Sequence, residues 1–129
     1  MHCRILAVKL HASPPAGVNT ITGYGEGYVM INGERRRSSV VVLPERIVDW
    51  RAKSFDRLTV EDFGFLKTLN AEIVLLGTGA RQRFPHPRLT AALAQAGIGV
   101  EVMDVRAACR TYNILVAEER KVAAALLFE

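Results

Sequence analysis

Two cysteines, Cys3 and Cys109, and a single tryptophan are spread over 129 residues. The two thiols lack metal-ligand spacing and are too few for a disulfide framework, so a reducing compartment is expected. Histidine is equally sparse. His2, His11 and His86 are scattered and suggest no metal site. No apolar run approaches the ~20 residues of a membrane helix, and the opening "MHCRILAVKL" is too short and too interrupted for a signal peptide. These absences together predict a soluble cytoplasmic protein. There is no internal repeat, no linker and no low-complexity segment. Charge of one sign is only in mild excess: 17 Lys and Arg against 13 Asp and Glu give +4. That permits an anionic partner without demanding one, because nucleic-acid binders concentrate their charge on one face.

What is present is hydrophobic patterning. Half of the residues are hydrophobic, which predicts a globular fold, and the length predicts one domain spanning residues 1–129. Residues 28–43 place Asn32-Gly33 between two strand-like runs, the favoured type I′ hairpin turn, with Pro44 ending the second arm. The Gly-rich stretch 23–28 suggests a bulged strand passed closely by another chain segment. Thr59 and Asp62 resemble a capping box before a helix carrying Val60, Phe63, Leu66 and Leu69 at helical spacing. Residues 72–77 form a short apolar strand. Pro87 opens a second helix with the stripe Leu89, Ala92, Leu93 and Ala96, and Gly97 ends it. Residues 99–104 form another strand, and Asp104 caps a third helix with the stripe Val105, Ala108, Cys109, Tyr112 and Val116. Residues 121–128 form a last strand. The expected fold is α/β: one three-layer domain, a mixed central sheet with helices packed on it and an N-terminal β-hairpin.

The stretch "IVLLGTGARQRFPHP", residues 73–87, raises the functional question. A P-loop needs a second glycine followed by Lys and Ser or Thr, and neither follows here. A dinucleotide fingerprint would use Gly77 and Gly79, with Asp104 at the ribose, but its third glycine position is Gln82 and the helix starts too late. The plainer reading is a sharp strand exit on glycines. Between the two lies an anion or carboxylate site made of the amides around Thr78, the helix start near Pro87, and Arg81, Arg83 and Arg88. Arg81 and Arg83 are expected to be mobile at its rim. Asn113 is unusual inside a helix. It shares a face with Arg106 and Arg110, where a solvated side chain is the ordinary reading. With Thr111 it could instead meet the Gly-Thr-Gly strand and close a shallow polar pocket.

The other candidates are weaker. Cys109 lies on the core stripe, as an inert thiol should. His86 reads as a capping or surface histidine. Arg35, Arg36 and Arg37 read as a charged, solvated strand edge; an RNA-contacting patch would need an aromatic residue on the same face, which the spacing does not provide.

"LLGTG", then a Pro-led helix, then "GIGVEVMDVRAACRTYNILVAEERKVAAALL" resembles a small family found in bacteria, archaea and mitochondria. That family includes mitochondrial complex I assembly factor 3 and the adipogenesis-associated domain proteins of animals. The resemblance extends back through "SVVVLPERIVDW" and covers the chain from about Gly23 onward. It implies a compact three-layer α/β domain and brings no established reaction and no catalytic residue. What it transfers is a surface: Gly77, Thr78, Gly79, Thr111 and Asn113 match the motif positions.

No catalytic constellation assembles from these residues, so the favoured reading is a non-enzymatic binding or assembly factor with a protein partner, no cofactor and no metal. The alternative is an enzyme or sensor that binds a small anion at the Gly-Thr-Gly loop. In either case the expected contact residues are Gly77, Thr78, Gly79, Arg81, Thr111 and Asn113. Nucleic acid is the least favoured partner.

Overall fold

The computed structural model describes residues 8–9 and 17–128, so His2, Cys3 and His11 lie outside the described residues. The elements run β1 (Val8–Lys9), β2 (Ile21–Gly25), β3 (Tyr28–Ile31), β4 (Glu34–Arg36), β5 (Val40–Leu43), β6 (Arg46–Asp49), α1 (Val60–Lys67), β7 (Ile73–Gly77), α2 (Pro87–Gln95), β8 (Gly99–Met103), α3 (Val105–Ala117) and β9 (Val122–Leu126). Strands β1-β2-β3-β4 form a small antiparallel sheet, and β6-β5-β9-β7-β8 form a mixed one. In the larger sheet β7, β8 and β9 are mutually parallel, and the β5–β6 hairpin joins β9 antiparallel.

Three layers follow from the two buried faces of the central sheet. On one face α1 and α2 bring Phe63, Leu66, Leu89 and Leu93 against Val74, Leu76, Ala123 and Ala125. On the other, Ala108, Cys109, Tyr112 and Val116 of α3 cover Leu75, Ala124 and Leu126, and Ile21, Val29 and Ile31 of the small sheet close over the flank. Every residue of β9 is buried, as a central strand covered on both faces requires. The helix ends carry their expected stops. Thr59 and Asp62 form the capping box of α1, Pro87 is in the first turn of α2, and Gly97 follows α2 with φ 78°. Val60 departs from its stripe: it is 43% exposed while Phe63 and Leu66 are fully buried.

The hairpin is shorter than the two strand-like runs suggest. Asn32 and Gly33 have φ of 52° and 84°, as a type I′ turn needs, but only Glu34–Arg36 pairs with β3. The chain leaves that sheet at Arg37, and β5 crosses to the larger one. The cause is in the side chains. All four residues of β5 are buried, which only a two-sided position allows, whereas Glu34 and Arg35 need solvent. Strand β6, after the Pro44 turn, is an element that the sequence patterning left unassigned. The bulge expected near Gly23 is present as a register shift between Ile21 and Gly23, and a Cβ on Gly25 would fall on the Tyr28 ring.

Candidate functional site: the loop after strand β7

Gly77 and Gly79 are glycines for different reasons. A Cβ on Gly77 would lie 2.9 Å from Leu126 Cδ2 and 3.2 Å from both Ala108 Cβ and Val105 Cα, so its absence lets α3 approach the end of β7. Gly79 has φ 97° and turns the chain, which is the only one of the two positions that needs left-handed backbone. Thr78 between them is 1% exposed. Its amide donates to Met103 O at 2.9 Å, and its hydroxyl donates to Arg81 O at 2.7 Å while accepting from the Arg83 amide at 3.1 Å. Gly79 O accepts from the Val105 amide at 2.9 Å. The base of the loop is therefore stitched to the β8–α3 junction.

This wiring bears on each phosphate reading. The Thr78 amide and hydroxyl, two natural anion donors, already have protein partners. Asp104, at the ribose position of the dinucleotide pattern, accepts from the Ala107 amide at 2.9 Å as the cap of α3. His86 Nδ1 accepts from the Arg88 amide at 3.1 Å and caps α2.

The rim divides into a fixed part and a projecting part. Arg83 is not a mobile rim residue: its guanidinium lies 4.5 Å from the Phe55 ring centroid and 3.8 Å from Asp56. Gln82 Nε2 donates to Val102 O at 2.8 Å. Arg81 and Arg88 are exposed, and Phe84 is 71% exposed, the most exposed large hydrophobic side chain among the described residues. Sequence patterning passed over Phe84. Its only signal was an aromatic between Arg83 and Pro85 in a stretch with no periodicity to bury it.

Thr111 and Asn113 do not converge on the loop together. Two residues apart on a helix, their side chains leave on opposite flanks. Thr111 is half-buried, one turn along the Ala108 flank that meets Gly77. Asn113 is 6% exposed and faces the small sheet, where its Nδ2 donates to Ile21 O at 2.7 Å and its Oδ1 accepts from the Ile21 amide at 3.0 Å. Among the described residues β1 reaches only Gly23, so the Ile21 backbone has no strand on that side, and Asn113 takes its place. The solvated face read from the sequence is correct for Arg106 and Arg110 and wrong for Asn113. Arg110 Nη1 donates to the Tyr24 hydroxyl at 2.9 Å.

Two clefts among the described residues lie away from this loop. One of about 370 Å³ opens at the opposite ends of β7 and β9, beside Asn70, Glu119 and Lys121. The other, about 270 Å³, lies between the end of β6 and α1, beside Trp50, Glu61 and Phe65.

Cys109 is fully buried, and loss of hydration pushes its thiol from 9.0 up to about 12, with Arg110 partly opposing. Burial also raises the Tyr112 hydroxyl, whose proton is donated to Asn19 O at 2.9 Å. In a Cys3→Ser protein a thiol reagent at mildly alkaline pH is accordingly expected to label Cys109 only after unfolding; rapid labelling of Cys109 in that native protein would contradict its burial. For both groups the neutral form is favoured by folding. Their contribution is complete below the unfolded pKa and is lost as pH rises through the folded one, so stability should fall above about pH 9. Denaturation midpoints measured across that range test the sign.

No helix among the described residues is long and apolar enough to cross a membrane. The family model for a protein of unknown function, DUF498/DUF598, matches residues 21–127. The mouse (Mus musculus) protein named NADH dehydrogenase [ubiquinone] 1 alpha subcomplex assembly factor 3 is 38% identical over 109 residues, covering 83% of this chain and 59% of its own. This chain thus spans about three-fifths of the length of the mouse relative. A Francisella tularensis protein named 13 kDa major membrane protein is 27% identical, covering 81% of this chain and 86% of its own. The crystal structure of a Bordetella parapertussis protein superposes with a TM-score of 0.84 at 38% identity, covering 90% of this chain and 100% of that one. The chain belongs to the DUF498/DUF598 family of proteins of unknown function.

Proposed function

We propose that this protein is a non-enzymatic binding and assembly factor that acts through protein contacts in the cytoplasm, and that the loop after β7 is its contact surface. The observation that carries the reading is Phe84. A phenylalanine 71% exposed on a loop with a hydrogen-bonded base is a pre-positioned apolar anchor, the residue type around which binding energy concentrates. Arg81 and Arg88 flank it with charge, and the loop base, Gly77, Thr78 and Gly79, serves as a scaffold that keeps the anchor presented. Thr111 lies one turn beyond Ala108 on α3, and Asn113 supports the surface indirectly by holding α3 to the small sheet. The mouse relative's name as an assembly factor supports the role.

Phe84→Ser should leave the unfolding free energy within about 0.5 kcal/mol of the parent, since the side chain has little packing to lose. It should also remove the protein that co-purifies with the tagged chain from native lysate. Retention of the same partner by Phe84→Ser would refute the loop as the contact surface. Calorimetry with phosphate and with dinucleotides should show only weak binding, because Thr78 is already engaged; tight stoichiometric binding would favour the anion-sensor alternative.

A further inference from the structure

The three consecutive arginines after the hairpin turn are not equivalent. Arg36 points toward the central sheet, where its guanidinium lies 3.8 Å from Asp49. Arg35 and Arg37 lie on the outer face. Both reach the Tyr28 ring, at 4.4 Å and 5.5 Å from its centroid. Tyr28 itself lies across Gly25 of β2, where any Cβ would collide with the ring. The aromatic that sequence spacing did not place among these arginines is thus supplied by the neighbouring strand. Among the described residues neither Arg35 nor Arg37 has an acidic partner, so two like charges are held on one ring without compensation.

Among the described residues, these arginines lie on an open edge. β4 ends the small sheet and pairs only with β3 among the described residues. The two-residue turn closes on the Ile31–Glu34 pair, so alternation turns the Arg36 backbone toward Val29 and leaves the N–H and C=O of Arg35 facing outward. Charge on an edge repels strands of like charge. It does the reverse for an acidic one.

We propose that the β4 edge accepts an extended acidic segment of a protein partner by strand addition at Arg35, with alternate acidic side chains meeting the guanidiniums of Arg35 and Arg37. Backbone pairing through Arg35 sets the register, and the two guanidiniums, steadied on Tyr28, select the alternate carboxylates. This surface is separate from the loop carrying Phe84 and does not depend on it. Nucleic acid is the competing occupant, and phosphates would need no register.

Fluorescence anisotropy on the whole chain distinguishes the two. The probes are a labelled extended peptide alternating glutamate with valine or threonine, a peptide of the same composition with its glutamates in one block, the alternating peptide with N-methyl groups on its pairing amides, and a single-stranded oligonucleotide. Two cross-strand opposite-charge pairs make roughly a tenfold difference, so the alternating peptide should bind about tenfold tighter than the blocked one. N-methylation should abolish binding. The double variant Arg35→Glu with Arg37→Glu should lose the glutamate peptide and gain a peptide alternating lysine with valine or threonine, which shows that the variant is folded. Equal binding of the two glutamate peptides, tighter binding of the oligonucleotide, or failure of the charge swap to exchange peptides would overturn the proposal.

Discussion

Asn113→Leu should destabilise the protein by about 2–4 kcal/mol, although leucine is the better helix former. The asparagine makes two hydrogen bonds to one buried residue, donating to Ile21 O at 2.7 Å and accepting from its amide at 3.0 Å. Leucine would leave both backbone groups facing an apolar side chain, and each unmet buried group costs roughly 1–3 kcal/mol. Against the ~5–15 kcal/mol of a typical domain that is a large share. Asn113→Asp should also fail, because a carboxylate can accept from the Ile21 amide but meets the Ile21 carbonyl with like charge. Thr111→Ala, on the other flank of the same helix, should change stability by no more than about 0.5 kcal/mol. Urea unfolding of the three variants measures this directly. An Asn113→Leu protein as stable as the parent would show that the side chain does not hold β2 to α3.

Gly77→Val is the second large effect. The approach of α3 to β7 leaves 3.2 Å between the site of a Cβ and Val105 Cα, a backbone atom that cannot step aside as the Leu126 side chain could. Alanine there should cost about 1–3 kcal/mol by overpacking, and valine more. The damage should spread to the loop, since displacing the start of α3 pulls Val105 from its 2.9 Å hydrogen bond to Gly79 O. Gly77→Ala should therefore weaken partner binding as well as stability, whereas Phe84→Ser should weaken binding alone. Proton exchange at the Val105 amide, read by NMR, separates the two variants. Unchanged stability in Gly77→Val would mean that close packing is not what selects glycine here.

The elements with strong local signals were legible in the sequence, and those decided by pairing between distant segments were not. The capping box at Thr59, the Pro87 start, the Asp104 cap and the core stripe of α3 are local chemistry, and each lies where the spacing places it. The exchange of sheets between Arg36 and Val40 is not local. A strand-like run looks alike whether it continues one strand or crosses to another sheet, and only the full burial of β5 distinguishes them. Asn113 misled for a similar reason. Helical periodicity places it beside two solvent-facing arginines, and nothing within the helix reveals that Ile21, 92 residues earlier, brings an unpaired peptide to it. The Gly-Thr-Gly loop was half legible. Glycine at a strand exit predicts a turn, which Gly79 makes, but the packing role of Gly77 depends on where α3 returns. Phe84 and Tyr28 carry no periodic signal at all. Their significance is one of exposure and neighbours, which belong to the folded chain.

A photo-crosslinking side chain installed at position 84, with the same group at exposed Lys67 on α1 as the control, tests the contact surface most directly. Irradiation in cells should yield one defined protein adduct from position 84 and none from position 67. No adduct at position 84, or the same set of proteins captured from both positions, would contradict a protein-binding role for this loop.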